Sequence, residues 1–374
     1  MNSMKLEIPD DRIYYNVNIN NNNIDSNLAM ACQFNENLVQ PLVSNPSLYY
    51  LALVRWQIPG LSLPIFVCPI QTGQNQTDPL LTPFAVTLNY NGQDFVQFVQ
   101  FVSNTTKSNP PAPGSNAKYL QTQDEFYYIY SVNQFLSMVN NALAEAFLAL
   151  ITADPSAPVT ETPYFTYDST TELISLTTQK AFVSNSDSPV LIYVNTALHK
   201  YFDAFEYVYD EVNNNEKDYQ FVIRETENNG YTIPGQTINN PQDYIRQPQD
   251  YPCMYNWIGM QGIMITTNQV PVKAEYVPAP VNSENSANQN MGTRKIITDF
   301  QPNFTILADA RSVFQFAQSG PYRCINLTAT TPLTTFDIYV YWQDRFNNLY
   351  PVNIPPGWSA SFKFAFIKKD NFYS

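Results

Sequence analysis

Histidine is all but missing from this chain: His199 is the only one in 374 residues. A catalytic triad or a histidine metal site needs partners supplied by a motif, and none is present, so histidine-dependent catalysis is set aside and His199 reads as a boundary residue on a short helix. Glycine is scarce too, at 11 residues, which leaves little room for phosphate-cradling loops. No G-x-S-x-G, H-E-x-x-H, Walker-type or dinucleotide pattern occurs. The four cysteines, Cys32, Cys68, Cys253 and Cys324, have no C-x-x-C spacing, so neither a zinc site nor a dense disulfide framework is indicated and all four read as reduced core residues.

Charge is also in short supply. Charged residues make up 14% of the chain, well under the roughly 25% usual for a soluble domain. Cations are the scarcer sign, 19 against 32 carboxylates for a net −13, which argues against nucleic acid bound over the whole surface. The one basic concentration, Lys363, Lys368 and Lys369, reads as a solvated strand end. No stretch approaches the roughly 18 apolar residues of a membrane span. Met1 to Arg12 alternates polar and apolar residues and carries Asp10 and Asp11, unlike a secretory signal. The expected setting is therefore a reducing cytosol, and the sequons at Asn75, Asn104, Asn303 and Asn326 are discounted as glycan sites.

What the chain has in abundance is aromatic and apolar: 26 Tyr, 24 Phe and 28 Pro, with 44% hydrophobic residues. Prolines in excess of glycines with many β-formers predict short strands punctuated by fixed turns and few helices. A neutral surface rich in Tyr, Asn, Gln and Thr suits contact with neighbouring subunits, where aromatics are enriched and Lys and Glu depleted.

Residues 1–27, with Tyr14, Tyr15 and the Asn20–Asn23 run, read as an N-terminal arm awaiting a partner. Tyr49 to Ile70 predicts two strands broken at Pro59, Gly60 and Pro64. Phe84, Val86, Leu88 and Tyr90 alternate with smaller residues, Asn91-Gly92 supplies a type I′ turn, and Phe95 to Val102 returns. A proline-rich stretch over 103–117 is the expected boundary. Beyond it, Phe126 to Tyr130 predicts a strand and Ser131 to Leu150 an amphipathic helix with a Ser131–Gln134 capping pattern. A hairpin over Tyr164–Thr178 follows, then a strand over Val190–Val194 feeding an Asn195-capped helix that presents Leu198, Tyr201, Phe202 and Phe205.

From 210 to 256 the chain reads as long loops around one strand, Tyr219 to Arg224. Strand patterning returns after Trp257 and ends with Phe362, Phe364 and Phe366 at every second place, so one face of the last strand is buried. The expected fold is mainly β: a single jelly-roll β-sandwich, residues 28–117 and 257–374, interrupted by a smaller α+β insertion domain over 118–256.

Paired carboxylates are the one catalytic option that composition leaves open, since a glycosidase needs only two, roughly 5–9 Å apart. Glu206 with Asp210, or Glu225 with Glu227, sit in polar stretches and read as solvated. The cluster Asp203, Glu206, Asp210 and Glu211 lacks the Asp/Asn and Gly spacing of a calcium loop. Tyr127, Tyr128 and Tyr130, or Tyr201, Tyr207 and Tyr209, offer either a sugar platform or ordinary sheet packing. No catalytic residue, cofactor or metal ligand is assigned, and the chain is not expected to be an enzyme.

The stretches Tyr50-Leu-Ala-Leu-Val-Arg-Trp-Gln-Ile-Pro59, Tyr130-Ser-Val-Asn-Gln-Phe-Leu-Ser-Met-Val-Asn140 and Tyr341-Trp-Gln-Asp-Arg345 to Phe366-Ile-Lys-Lys369 resemble vertex (penton) or minor capsid proteins of virophages and polinton-like double-stranded DNA viruses. The resemblance implies an eight-stranded jelly roll with an insertion projecting from an icosahedral shell, five copies at each vertex and no catalytic residues. It further implies contacts with itself as a homopentamer and with a neighbouring major capsid protein, a host receptor as a candidate partner of the insertion, and residence in the virion after assembly in host cytoplasm or a viral factory. The 103–256 segment is larger than that resemblance leads one to expect. A receptor- or glycan-binding spike is the alternative reading.

Overall fold

The computed structural model describes residues 12–22, 30–60, 63–69, 81–102, 126–210, 216–224, 244–277, 292–301, 313–317, 323–345 and 349–371. The chain divides into two compact units. One comprises residues 1–63, 106–111 and 260–374, the other residues 64–105 and 112–259.

The first unit is a jelly-roll β-sandwich of two sheets. In one, Arg12–Asn20, Ser359–Lys368, Tyr49–Ile58 and Phe314–Ala317 lie side by side, with Cys324–Asn326 also on Tyr49–Ile58. In the other, Ile296–Phe300, Met260–Thr266, Thr335–Asp344 and Leu349–Pro351 are neighbours, and Gln33–Asn37 pairs with Thr335–Asp344. Phenylalanines at every second place dictate the packing: Phe362, Phe364 and Phe366 are buried. Phe336 of the opposite sheet meets Phe364 and Phe366 at centroid distances of 5.1 and 6.3 Å. At the other end Trp56 and Phe316 close on Phe300 at 5.2 and 4.7 Å. Each such ring removes some 150–250 Å² from water.

The expected arm is corrected here over its described part. Arg12–Asn20 is a strand, paired residue for residue with Ser359–Ile367. The Asn20–Asn23 run suggested a polar tract, but before it Asn16 and Asn18 occupy one face only and Val17 and Ile19 on the other are buried, a period-two pattern hidden by the asparagines.

The second unit is α+β. Its larger sheet runs Tyr207–Tyr209, Tyr219–Phe221, Leu191–Val194, Leu81–Tyr90 and Gln93–Gln100. The predicted hairpin forms, with Asn91 at φ 51° and Gly92 at φ 80°, the left-handed values a type I′ turn requires. Its address differs from expectation: the hairpin belongs to this unit, so the first cut falls between residues 63 and 64 and not at 117/118. The physical reason is that Leu81–Tyr90 pairs with Leu191–Val194 as well as with its hairpin partner. Phe84, Val86 and Leu88 on one face and Ala85 on the other are all buried.

The long helix spans Val132–Ala153 and lies on the 81–100 hairpin and on Tyr164–Asp168. Ser131 Oγ accepts the Gln134 N–H at 3.1 Å, while Gln134 Oε1 reaches back to the Tyr130 N–H at 3.0 Å, a variant of the predicted reciprocal cap. By length and composition this helix is apolar enough to cross a membrane, which corrects the expectation that no stretch approaches that length. Much of it is packed inside the unit, with Phe135, Leu136, Val139, Leu143 and Leu150 buried.

A three-stranded sheet, Tyr244–Pro248, Leu173–Gln179 and Tyr164–Asp168, completes the unit. Its first strand falls in the stretch expected to be loop. Asn140, buried in the helix, exchanges two hydrogen bonds with the Phe165 backbone at 2.8 and 2.9 Å. Gly259 donates to Ile65 O at 2.6 Å, and a Cβ there would stand 2.8 Å from that oxygen, an approach only glycine permits.

Candidate functional site

The residues proposed for chemistry are occupied by structural contacts. His199 stacks on Tyr219 at 3.8 Å and meets Tyr207 edge-on at 4.6 Å; burial lowers its pKa, with Asp203 partly opposing. Cys253 Sγ donates to Asp203 Oδ1 at 2.6 Å, and Gln249 Nε2 donates to the sulfur at 3.2 Å. Burial first, then the Asp203 contact, push the thiol up to about 12, so it is held as a thiol and not as the thiolate a nucleophile requires.

Asp203 also accepts from Asn256 Nδ2 at 3.3 Å, which makes the trio a clasp between the 200–205 turn and residues 249–256. The other three cysteines are likewise free of disulfides, and burial raises the pKa of each.

Glu206 is engaged in a two-pronged ion pair with Arg224, whose hydrogen bond lowers the carboxyl's pKa. Asp210 uses its backbone N–H on Asp218 O at 2.9 Å. Among the described residues no three His, Cys, Asp or Glu side chains converge to hold a metal ion. Glu211, Glu225 and Glu227 lie outside the described residues, as do Asn75, Asn104 and Asn303; Asn326 is exposed on a short strand.

The tyrosine clusters divide. Tyr128 and Tyr130 are buried, and the Tyr127 side chain lies outside the description. Tyr201 is core, within 5.7 Å of Phe66, Phe84, Phe135 and Trp257. Tyr207 packs on Phe221, and burial drives its pKa well up. Tyr209, 57% exposed beside Val208 at 52%, lies on the surface.

What the fold offers instead is broad outward sheet faces. On the 12–20/359–368/49–58/314–317 sheet, the side opposite Phe362, Trp56 and Val17 carries Asn16, Asn18, Lys363, Ser361, Arg55 and Gln57. A shallow hollow of about 540 Å³ has Arg55, Gln57, Gln315 and Ser361 among its lining residues. The predicted C-terminal lysine run is split: Lys363 lies over Tyr14 at 4.4 Å, whereas Lys369 Nζ donates to Ser47 O at 2.7 Å beside Tyr50. The outward face of the second sheet presents Tyr339 and Tyr341, with Arg294 over the Tyr341 ring at 5.8 Å.

Charge separates between the units. Residues 64–105 and 112–259 hold 20 of the 32 carboxylates and only 6 of the 19 Lys and Arg. The sandwich unit has 12 carboxylates against 13 cations. The same division is present in the sequence over the expected 118–256 block, which holds 18 carboxylates and 6 cations.

Residues 13–368 match the family model of the Sputnik minor capsid protein V18/19. The chain is 34% identical over 207 residues, 55% of its length and 94% of the relative's, to "Structural protein V19" of Sputnik virophage. It is 37% identical over 159 residues, 41% of its length and 91% of the relative's, to the uncharacterized protein V18 of the same virophage. A chain of the Sputnik virophage cryo-EM structure superposes with a TM-score of 0.75 at 34% identity, covering 96% of this chain and 98% of that one. The mavirus penton protein superposes with a TM-score of 0.59 at 17% identity over 95% and 99% of the two chains, a likeness of fold.

Proposed function

We propose, from the premise that this chain belongs to the Sputnik minor capsid protein V18/19 family, that this virion structural protein is the vertex, or penton, subunit of an icosahedral shell and closes as a ring of five copies. The observation carrying the proposal is the near-complete superposition, at 34% identity, on a chain of the Sputnik virophage particle; the mavirus penton protein is alike in fold over 95% of this chain. Ring closure needs two unlike faces per subunit that meet by rotation. The chain supplies them as the amide- and cation-bearing outward side of one sandwich sheet and the carboxylate-rich α+β unit. The role is architectural: His199, Cys253 and Glu206 are spent on packing, a hydrogen-bonded clasp and an ion pair.

Its neighbours in this reading are further copies of itself and the major capsid protein, and assembly takes place in the host cytoplasm or a viral factory. Light scattering of the purified full chain should give five times the 42.7 kDa chain mass; a stable monomer or trimer overturns the vertex assignment. Exposed Val208, Tyr209 and Tyr251 on the acidic unit favour a second reading, a receptor- or glycan-contacting role for that unit. A glycan array probed with the full chain and with Tyr209→Ala tests it: binding lost in the variant supports a contact there, and no binding by either removes it.

A further inference from the structure

One pair of side chains on the outward face of the 49–58 and 359–368 strands runs against the usual economy of a sheet. Lys363 stands directly opposite Arg55 in the strand register, and Ser361 opposite Gln57. Side chains alternate along a strand, and Phe362 and Trp56 between them are buried, so both cations point to solvent on the same side. Like charges directly opposite in neighbouring strands destabilise a sheet, and none of the residues that share this face with them on the four strands is a carboxylate.

Three other cations are matched by carboxylates, Lys217 by Asp94, Arg224 by Glu206 and Arg323 by Asp299. Arg55 has no ion pair or hydrogen bond among the described residues, and Lys363 has only the Tyr14 ring, 4.4 Å away, which holds its charge near the face without neutralising it. Arg55 also lines the hollow of about 540 Å³, whose other lining residues include Gln57, Gln315 and Ser361. The hollow presents a cation and several hydrogen-bond donors without an anion to receive them.

We infer that this hollow is a docking site for a second copy of the chain, whose acidic unit supplies the carboxylates that Arg55 and Lys363 lack. The occupant follows from charge complementarity: the 64–105 and 112–259 unit carries 20 carboxylates against 6 cations, while the sandwich that bears the hollow is near neutral. Nucleic acid suits the face less well, since three cations, Arg12, Arg55 and Lys363, spread over four strands neutralise few phosphates. The inference rests on the ring-forming reading above and names one side of its interface as electrostatic.

The test is the mass of the full-length protein by light scattering at low ionic strength and at about 1 M salt, where screening shortens to about 3 Å. It compares wild type with Arg55→Glu, Lys363→Glu and the charge-preserving Arg55→Lys and Lys363→Arg. Either Glu variant turns the like-charge pair into an opposite-charge one, so its melting temperature should equal or exceed that of wild type. Its association should weaken by about tenfold or more, while the charge-preserving variants assemble as wild type does and high salt weakens them all.

Glu variants that assemble normally beside an assembling wild type overturn this inference and leave the ring reading intact. A wild type that is monomeric at every salt concentration overturns both. If wild type retains labelled duplex DNA, and the Glu variants lose it yet still assemble, the face belongs to a polyanion and the inference is again overturned.

Discussion

His199 illustrates how burial assigns a role to a residue whose type suggests another. Stacked between tyrosines, its imidazole has a depressed proton affinity, chiefly through burial, with Asp203 opposing. Unfolded histidine titrates near about 6.5, so as pH falls the unfolded chain takes up the proton first. The contribution to stability is complete above that value and is lost as pH drops through it toward the lower folded value. Denaturation midpoints measured between about pH 7.5 and 5 should fall for wild type, and the slope should shrink in His199→Phe, which keeps a ring on Tyr219.

Asp337 is the opposite case, a carboxylate that ends fully buried. Its Oδ1 accepts from the Thr267 hydroxyl and, at 3.0 Å, from the Gln269 N–H, and its Oδ2 accepts from the Asn268 N–H at 2.9 Å. It thereby closes the turn after Met260–Thr266. Asp337→Ala should cost about 3 kcal/mol, since three donors lose their acceptor; urea denaturation reads the loss. Nothing in the flanking Thr-Phe-Asp-Ile-Tyr run marks this aspartate as buried, because its donors lie seventy residues upstream.

Among the elements, those with complete local signals were legible. The Asn91-Gly92 hairpin, the Ser131-capped helix, the Tyr164 hairpin, the Asn195 cap and the Phe362-Phe364-Phe366 strand all form close to the expected bounds. Elements defined by distant partners were not. Arg12–Asn20 is a strand only because Ser359–Ile367 offers it a matching edge. Tyr244–Pro248 is one only because Leu173–Gln179 does.

Asn140 belongs to the same class. Mid-helix and buried, it reads from sequence as a helix-neutral residue, yet it bridges to the Phe165 backbone with both ends of its amide. Asn140→Leu should leave that N–H and C=O unsatisfied and cost about 2–3 kcal/mol, detectable as a lower melting temperature with helix content retained by circular dichroism. At the last residue of the α+β unit, Gly259→Ala should destabilise by about 1–3 kcal/mol through overpacking against Ile65 O.

For the molecule as a whole, the separation of charge matters more than its total. With a sequence pI near 4.4, solubility should pass through a minimum near that pH, read as turbidity, because self-repulsion vanishes there. At neutral pH the repulsion resides in the unit built from residues 64–105 and 112–259, while the sandwich is free to associate. In the docking inferred above, this division sets the acidic unit of one copy against the Arg55 and Lys363 face of the next.

Composition and periodicity by themselves determined that this is a β-rich chain without the material for histidine, zinc or nucleotide chemistry, that its last strand buries three phenylalanines, and that a helix-containing block interrupts the strands. Those properties depend on residue type and on neighbours a few places away. Only the tertiary structure decided where the interruption begins, that an asparagine-rich segment is a strand, and that Arg55 and Lys363 stand side by side. Each of these depends on which distant strand becomes a neighbour, and a local period constrains the face a residue takes but not the partner across from it.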